Sequence, residues 1–402
     1  MRAYDIEVDT QTFDTEMQTQ KQRSRDDRKA KGISFSVSKV EGAETEFLGY
    51  ETLSAESELM QLLSGGDATT TQFGVGDEVA VVCSATPFYA ESGGQVADTG
   101  TVRVKDVTLE VHDVQKVRGT HYVHHCVVAE GELSSSFVGS SAELCVDAER
   151  RRKIRINHSA THLVHAALRS VLGAHVKQAG SRVDDRTLRF DYSHFEPVSD
   201  EQLNQIQSYV NEHVRSNHEV ITQVLPLEEA RKTGAVALFG EKYGDLVRVV
   251  HIGPESIEFC GGTHVSRSGD VGTVLLAQEG GISAGVRRIE CLAGAGAFAE
   301  VLAERAERAA IATALKSDVQ NLPSKVEKLL LRVKELEREL ERSRTAVAAA
   351  KSSAAGESAR TTQSGIKVIT LRVDNTDTKT LRGMVDRLRD SIGSGVVALG
   401  SS

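Results

Sequence analysis

Two stretches, HSATHLVHAAL at residues 158–168 and CGGTH at residues 260–264, decide how this chain folds back on itself. In the first, His158 and His162 stand four apart, so a helix puts both rings on one face about one turn from each other. Cys260 and His264 have the same spacing. They lie where a strand-like IEFC (257–260) meets a glycine turn in which Gly261 and Gly262 let the backbone curl. Imidazole and thiolate donors together suit a borderline-soft ion of tetrahedral preference, such as zinc. One pair among 13 histidines would be weak; two pairs of mixed nitrogen and sulfur type, far apart in the chain, favour a metal site at His158, His162, Cys260 and His264. His165 shares the histidine face, as an alternative ligand, an outer partner, or, more commonly for such a residue, a partly buried structural histidine. HSATH lacks the Glu of HExxH, so the base of a metalloprotease is missing from its usual place. Four protein ligands normally close a structural zinc, whereas a catalytic one keeps a position open, and spacing alone does not choose. Because the ligands must be deprotonated, metal affinity should fall at acid pH.

The flanking sequence divides by texture. Asn157 is a plausible cap for the histidine helix, which runs to Leu172 with Gly173 as its stop. A second helix follows Ser199, with Gln202 completing a capping box and Leu203, Ile206, Val210 and Val214 forming its apolar stripe. Strands are expected at 187–192, 219–224, 246–252, 257–260 and 272–279, which makes residues 147–295 an α+β block. Before it, residues 75–146 hold the β-rich runs EVAVVC, TVRVKDVTLEVHDV, HYVHHCVV and SAELCV, spaced as in a small barrel or sandwich. Within them FYAESGGQVADTG (88–100) contains Gly93, Gly94 and Gln95, a candidate substrate loop whose glycines allow a close backbone approach; an ordinary turn is the plainer reading. Residues 1–74 read as the remnant of a helical linker region: a charged helix over 11–31, capped by Asp9 or Thr10, and then a polar stretch. Residues 296–351 are helical, with Val326, Leu329, Val333, Leu336, Leu340 and Val347 in a heptad seam that suggests a helical hairpin or coiled coil. SSAAGESARTTQSG (352–365) reads as a flexible linker. Residues 366–402 read strand–helix–strand, a truncated α/β unit too small to cover its own sheet.

Composition narrows the classes. At 402 residues the chain holds about two to four domains, and its net charge of −9 neither announces nor excludes nucleic acid. Five cysteines without regular spacing argue for a reducing, cytoplasmic setting. No apolar leader stands at the N-terminus and no run is long enough to span a membrane. Polar residues Lys177, Gln178 and Ser181 follow the histidine helix, and the clusters RRRKIR (150–155) and GVRR (285–288) are basic, although such clusters are usually solvated faces.

Taken in order, HSATHLVHAAL, HVKQAGSRV, LRFDYSHF, ALFGEKYGD, CGGTHV and GISAGVRRIE resemble the editing domain of alanyl-tRNA synthetases and their free-standing relatives. FYAESGGQVADTG resembles the preceding barrel, 296–350 the helical linker, and 366–402 the first part of the C-terminal domain. Where Ala97 stands the family usually has Gly, and no aminoacylation domain precedes residue 1, so the chain reads as a fragment of such an enzyme. The resemblance implies an α+β multidomain fold with zinc (Zn2+) held by His158, His162, Cys260 and His264. It implies hydrolysis of mischarged Ser-tRNA(Ala) and Gly-tRNA(Ala), with Gln178 helping to position the misacylated end. An alanine pocket rejects serine and glycine poorly, which is why a second sieve is needed. Arg150, Arg151, Arg152, Lys153, Arg287 and Arg288 are candidates for contact with the tRNA(Ala) acceptor phosphates, and a homo-oligomer through the C-terminal region is expected. The competing reading is a non-catalytic tRNA-binding and oligomerisation module with a closed structural zinc.

Overall fold

The first half of Ser54–Ser64 (β1) puts Ser57 and Leu59 inside and Glu56 and Glu58 outside, and this strand opens a closed barrel. The computed structural model describes residues 40, 42–64, 71–237, 243–357, 359–373 and 378–400. The barrel continues with Glu78–Cys83 (β2), Gly100–Val104 (β3), Val107–Val117 (β4), His121–Glu130 (β5) and Ser141–Val146 (β6), closed in the order β6-β1-β2-β5-β4-β3. It therefore starts within the stretch expected to be a linker remnant. A bulge between Leu59 and Gln61 breaks the period-two pattern of β1, so its polar residues hide the strand in the sequence. Closure leaves no edge to protect. Leu59, Val79, Val81, Val102, Leu109 and Leu144 fill the interior. The expected helix over 11–31 lies outside the described residues.

His124, on β5, is fully buried. Its Nδ1 donates to the Val81 carbonyl at 3.1 Å and its Nε2 accepts from the Thr86 hydroxyl at 2.7 Å. Burial keeps this ring neutral and lowers its pKa to about 4.

From the barrel the chain enters helix Ala148–Leu172 (α1), capped by Asp147, whose side chain accepts from the Arg150 amide at 3.0 Å. Asn157 is not the cap. It lies inside the helix, buried, with Nδ2 donating to the Asp184 carbonyl at 2.8 Å. The basic run 150–155 forms the first turns, with Arg151 and Ile154 buried and Arg152 exposed. Strands Gln178–Val183 (β7) and Leu188–Ser193 (β8) follow, then helix Asp200–Arg215 (α2), whose Ser199–Gln202 capping box forms as expected. Next come Val220–Pro226 (β9), helix Leu227–Lys232 (α3), Leu246–Ile252 (β10), Ser256–Phe259 (β11), Val274–Ser283 (β12) and Val286–Ala293 (β13). One antiparallel sheet has the order β7-β8-β13-β12 and a second the order β9-β10-β11. β7 and β13 occupy stretches read from sequence as polar and basic clusters. On β13 Ile289, Cys291 and Ala293 alternate inward to pack with Leu163, Leu168 and Phe190, Arg287 continues their face toward the strand's start, and Arg288 lies on the opposite face.

The chain divides into two compact units, residues 1–301 and 302–402. Helix Gly294–Ala314 (α4) crosses the boundary, and helix Leu322–Glu357 (α5) belongs to the second unit. α5 runs past residue 351 into the stretch expected to be a flexible linker. Ala355 secures that end by packing with Ile369, Leu388 and Ile392. The heptad seam is exposed, Leu336 and Leu340 included. Lys367–Arg372 (β14) and Gly395–Gly400 (β15) pair in parallel around helix Thr378–Ile392 (α6). Among the described residues no helix is long and apolar enough to cross a membrane.

Two predictions follow from burial in the barrel and at its junction with α1. Arg151, 1 % exposed, is ion-paired with Asp98 and donates to the carbonyls of Gly49 and Pro87, each at 2.8 Å. Arg151→Met should lower the unfolding free energy by about 3–5 kcal/mol in urea titration, because it strands the Asp98 carboxylate. His124 is neutral when folded and gains a proton readily when unfolded. Its contribution is therefore intact above pH 6.5 and disappears as the pH falls toward 4. The loss is about 3 kcal/mol over that window, and urea titrations of His124→Gln across it should show a flatter pH dependence than the unsubstituted chain.

Candidate metal centre

Helix α1 is buried without a break from Ile156 to Leu168, so most of the polar side chains in that stretch are held against neighbouring elements. His158 and His162 project from it toward the loop after β11, which carries Cys260 and His264. The ligand atoms of all four residues lie within 4.8 Å of one another. The Cys260 sulfur is 3.4 Å from His158 Nε2 and 3.3 Å from His264 Nε2. The opposite ring nitrogens are held from outside: His158 Nδ1 by Gln95 Oε1 at 2.7 Å, and His264 Nδ1 by Ser159 Oγ at 3.1 Å. Glu258 Oε2 lies 3.6 Å from His162 Nδ1, and its Oε1 accepts from His165 Nδ1 at 3.1 Å. His165 is thus no member of the ligand cluster; it steadies the carboxylate that faces His162.

Glycine is required in the loop for space rather than for curl. A Cβ at Gly262 would overlap the His158 ring and stand 2.9 Å from Gln95 Oε1, while the backbone there is not left-handed. Arg248 braces the loop from β10, donating to the carbonyls of Cys260 and Gly262 at 2.9 and 2.8 Å while stacking on the Tyr50 ring at 4.2 Å. Tyr50 in turn donates to the Gly261 carbonyl at 2.6 Å.

The charges in the cluster are strongly coupled. Burial alone would raise the Cys260 thiol, but the three imidazoles around it hold it well below the usual range. Burial also opposes charge on His162, yet Glu258 and the Cys260 sulfur carry that ring up to about 9. His264 is driven down to about 3, chiefly by burial. Glu258 stays below the usual carboxylate range despite its burial, because His162 and His165 face it. Two buried acidic groups, a thiol and a carboxyl, therefore sit around three imidazoles. A divalent cation suits this set: three nitrogens and a sulfur offer soft-to-borderline donors, and the nearby carboxylate offsets the remaining charge.

A cleft of about 270 Å³ opens beside the cluster. His158, His162 and Cys260 form one wall, Gln178 and Ser181 of β7 another, and Phe190 and Phe259 supply apolar surface. Gly93 lines it, whereas Gln95 does not: Gln95 is fully buried behind His158. Gly94, at φ +85°, brings the loop against β7, where a Cβ would meet the Ser181 carbonyl at 2.7 Å. A larger hollow of about 740 Å³ on the barrel wall lies away from the ligand set.

The expected phosphate contacts fare unevenly. Arg151 is buried in its ion pair and unavailable to a surface ligand. Arg152 and Lys153 are exposed beside Glu149, and Arg150 is partly buried, donating to the Ala97 carbonyl at 2.7 Å. Arg287 pairs through two bonds with Glu279, as Arg288 does with Asp191. Sequence reasoning missed Glu258, Arg248 and Tyr50. The signal for Glu258 was present: it stands two residues before Cys260 and so shares its face of an extended segment.

Residues 1–150 match the family model described as "tRNA synthetases class II (A)", and residues 247–290 match the "Threonyl and Alanyl tRNA synthetase second additional domain". The alanine–tRNA ligase of Pseudomonas savastanoi pv. phaseolicola is 42 % identical over 405 aligned residues, covering 100 % of this chain and 45 % of that protein. Those of Pseudomonas syringae pv. tomato and Pseudomonas entomophila match to the same extent, 42 % identical with 100 % and 45 % coverage.

The tight approach at Gly262 is directly testable. Gly262→Ala should push the loop off His158 at a cost of about 1–3 kcal/mol and lower zinc uptake in equilibrium dialysis, while the far-UV circular dichroism of the barrel stays unchanged.

Proposed function

Because this chain belongs to the alanine–tRNA ligase family along its whole length, while spanning about half the length of the relatives it matches, we propose that it carries an editing activity: zinc-dependent hydrolysis of the ester in tRNA(Ala) mischarged with serine or glycine. The observation that carries this reading is the convergence of His158, His162, Cys260 and His264 on one point at the wall of a cleft. A shallow pocket for alanine cannot exclude glycine and discriminates weakly against one added hydroxyl, so a separate hydrolytic site is chemically warranted.

The chain's own residues divide the work. His158, His162, Cys260 and His264 would hold the ion, and zinc bound there would supply Lewis acidity toward the ester carbonyl or the attacking water. Gln178 faces the cleft from β7 and offers its amide to the aminoacyl end. Phe190 and Phe259 shield the reacting group from bulk water. Exposed Arg152 and Lys153 are available to acceptor phosphates, which would make RNA affinity fall with salt. A homo-oligomer is supported by the uncovered apolar seam on α5.

A second reading, a binding module with a closed structural zinc, is favoured by the ligand count itself, since four protein donors can complete a tetrahedron. Incubating the full chain with Ser-tRNA(Ala) separates the two. Zinc-dependent release of serine is expected. His162→Ala and Cys260→Ala should lose zinc affinity by about 100-fold or more along with hydrolysis. Gln178→Ala should lose hydrolysis and keep zinc. Equal serine release before and after zinc removal would overturn the zinc role, and no release at all would leave the binding module.

A further inference from the structure

We infer that Gln95, a residue of the barrel, sets the tautomer of His158 and so belongs to the metal centre as a positioning residue; this rests on the reading that the cluster holds a metal. The argument begins with an obligatory donor. The Thr263 backbone N–H, inside the CGGTH loop, points at Gln95 Oε1 from 2.9 Å. A backbone N–H can only donate, so the side of the Gln95 amide facing it must be the oxygen. The amide nitrogen consequently faces the Thr263 hydroxyl, and it donates there at 3.0 Å. With its orientation decided, Gln95 Oε1 also meets His158 Nδ1, at 2.7 Å. An amide oxygen only accepts, so Nδ1 must carry the ring's proton. Nε2 is then left with its lone pair, aimed at the side where the Cys260 sulfur lies 3.4 Å away.

Besides meeting His158, Gln95 anchors the CGGTH loop through the Thr263 amide and hydroxyl. It is fully buried, it does not line the cleft, and it comes from an element 63 residues before His158 in sequence. It reaches the site because the loop it sits on pairs with β7, through Val183 donating to the Gly94 carbonyl at 2.7 Å and Val96 donating to the Val183 carbonyl at 3.0 Å. One neutral amide thus joins three segments: the barrel loop, α1 and the CGGTH loop. The other two histidines have different neighbours: His264 Nδ1 meets the Ser159 hydroxyl, and His162 Nδ1 faces a Glu258 carboxylate oxygen at 3.6 Å. A neutral acceptor selects the tautomer without adding a further negative charge to a site that already holds Cys260 and Glu258.

The test uses the full chain and zinc alone. Gln95→Leu keeps a side chain of similar size but removes the acceptor. Zinc affinity, measured by competition with a chromogenic chelator, should fall about 10- to 100-fold. Gln95→Glu retains an acceptor for both His158 and the Thr263 amide, and should recover affinity to within a few-fold of the unsubstituted chain. Nitrogen-15 NMR of the metal-free chain should report the Nδ1–H form of His158, shifting to a mixture of tautomers in Gln95→Leu. A merely structural role would not produce that shift or the rescue by Glu. If Gln95→Leu binds zinc as tightly as the unsubstituted chain and His158 keeps its tautomer, the assignment is wrong. If the unsubstituted chain binds no zinc, the metal reading itself fails.

Discussion

Polar groups buried along α1 draw their hydrogen-bond partners from several distant elements, and those bonds organise the first unit of this protein. Arg151 is satisfied by Asp98 and by backbone carbonyls around the barrel. Asn157 Nδ2 donates to the turn after β7, His158 Nδ1 to Gln95, and His165 Nδ1 to Glu258 of β11, while Ser159 Oγ accepts from the CGGTH loop. Each pairing draws a different element onto the helix. Barrel, sheet and loop are therefore held in register by the hydrogen bonds that these buried side chains make. An apolar helix of the same length could pack as tightly, but it would not specify which loop lies against which turn.

The metal cluster inherits its precision from this arrangement. Its two histidines on α1 are spaced by helix geometry, and its other two ligands sit on a loop whose approach depends on the absence of a side chain at Gly262. Arg248 and Tyr50 grip the backbone of that loop from the far side. The ligands themselves need few direct restraints once their supports are rigid. The electrostatics follow from the same crowding: burial opposes every charge in the cluster, and only mutual pairing of the Cys260 sulfur, Glu258 and the imidazoles makes charge tolerable there.

Much of the scaffold was readable from local pattern. The Ser199–Gln202 capping box, the alternation in β4 and the i, i+4 histidine pair are all contained within a few neighbouring residues. Errors arose where a local pattern carried two meanings. The run 150–155 has the composition of a solvated basic face, yet Arg151 is among the most buried side chains, because Asp98 arrives from 53 residues away. Asn157 has the chemistry of a cap, but Asp147 takes that role at the exit from β6. GVRR reads as a cluster of free cations, and in the folded chain two of its members are matched by Glu279 and Asp191.

The sequence by itself determined which residues can ligate a metal, because donor chemistry and helical spacing are properties of the chain segment. It also determined most of the elements, whose periodicity is local. Only the tertiary structure decided that Gln95 stands behind His158, that Glu258 faces His162, and that Arg151 faces inward. Those relations depend on which distant segments share a buried space, and desolvation acts on a group according to what surrounds it in the folded protein, wherever in the chain those surroundings originate.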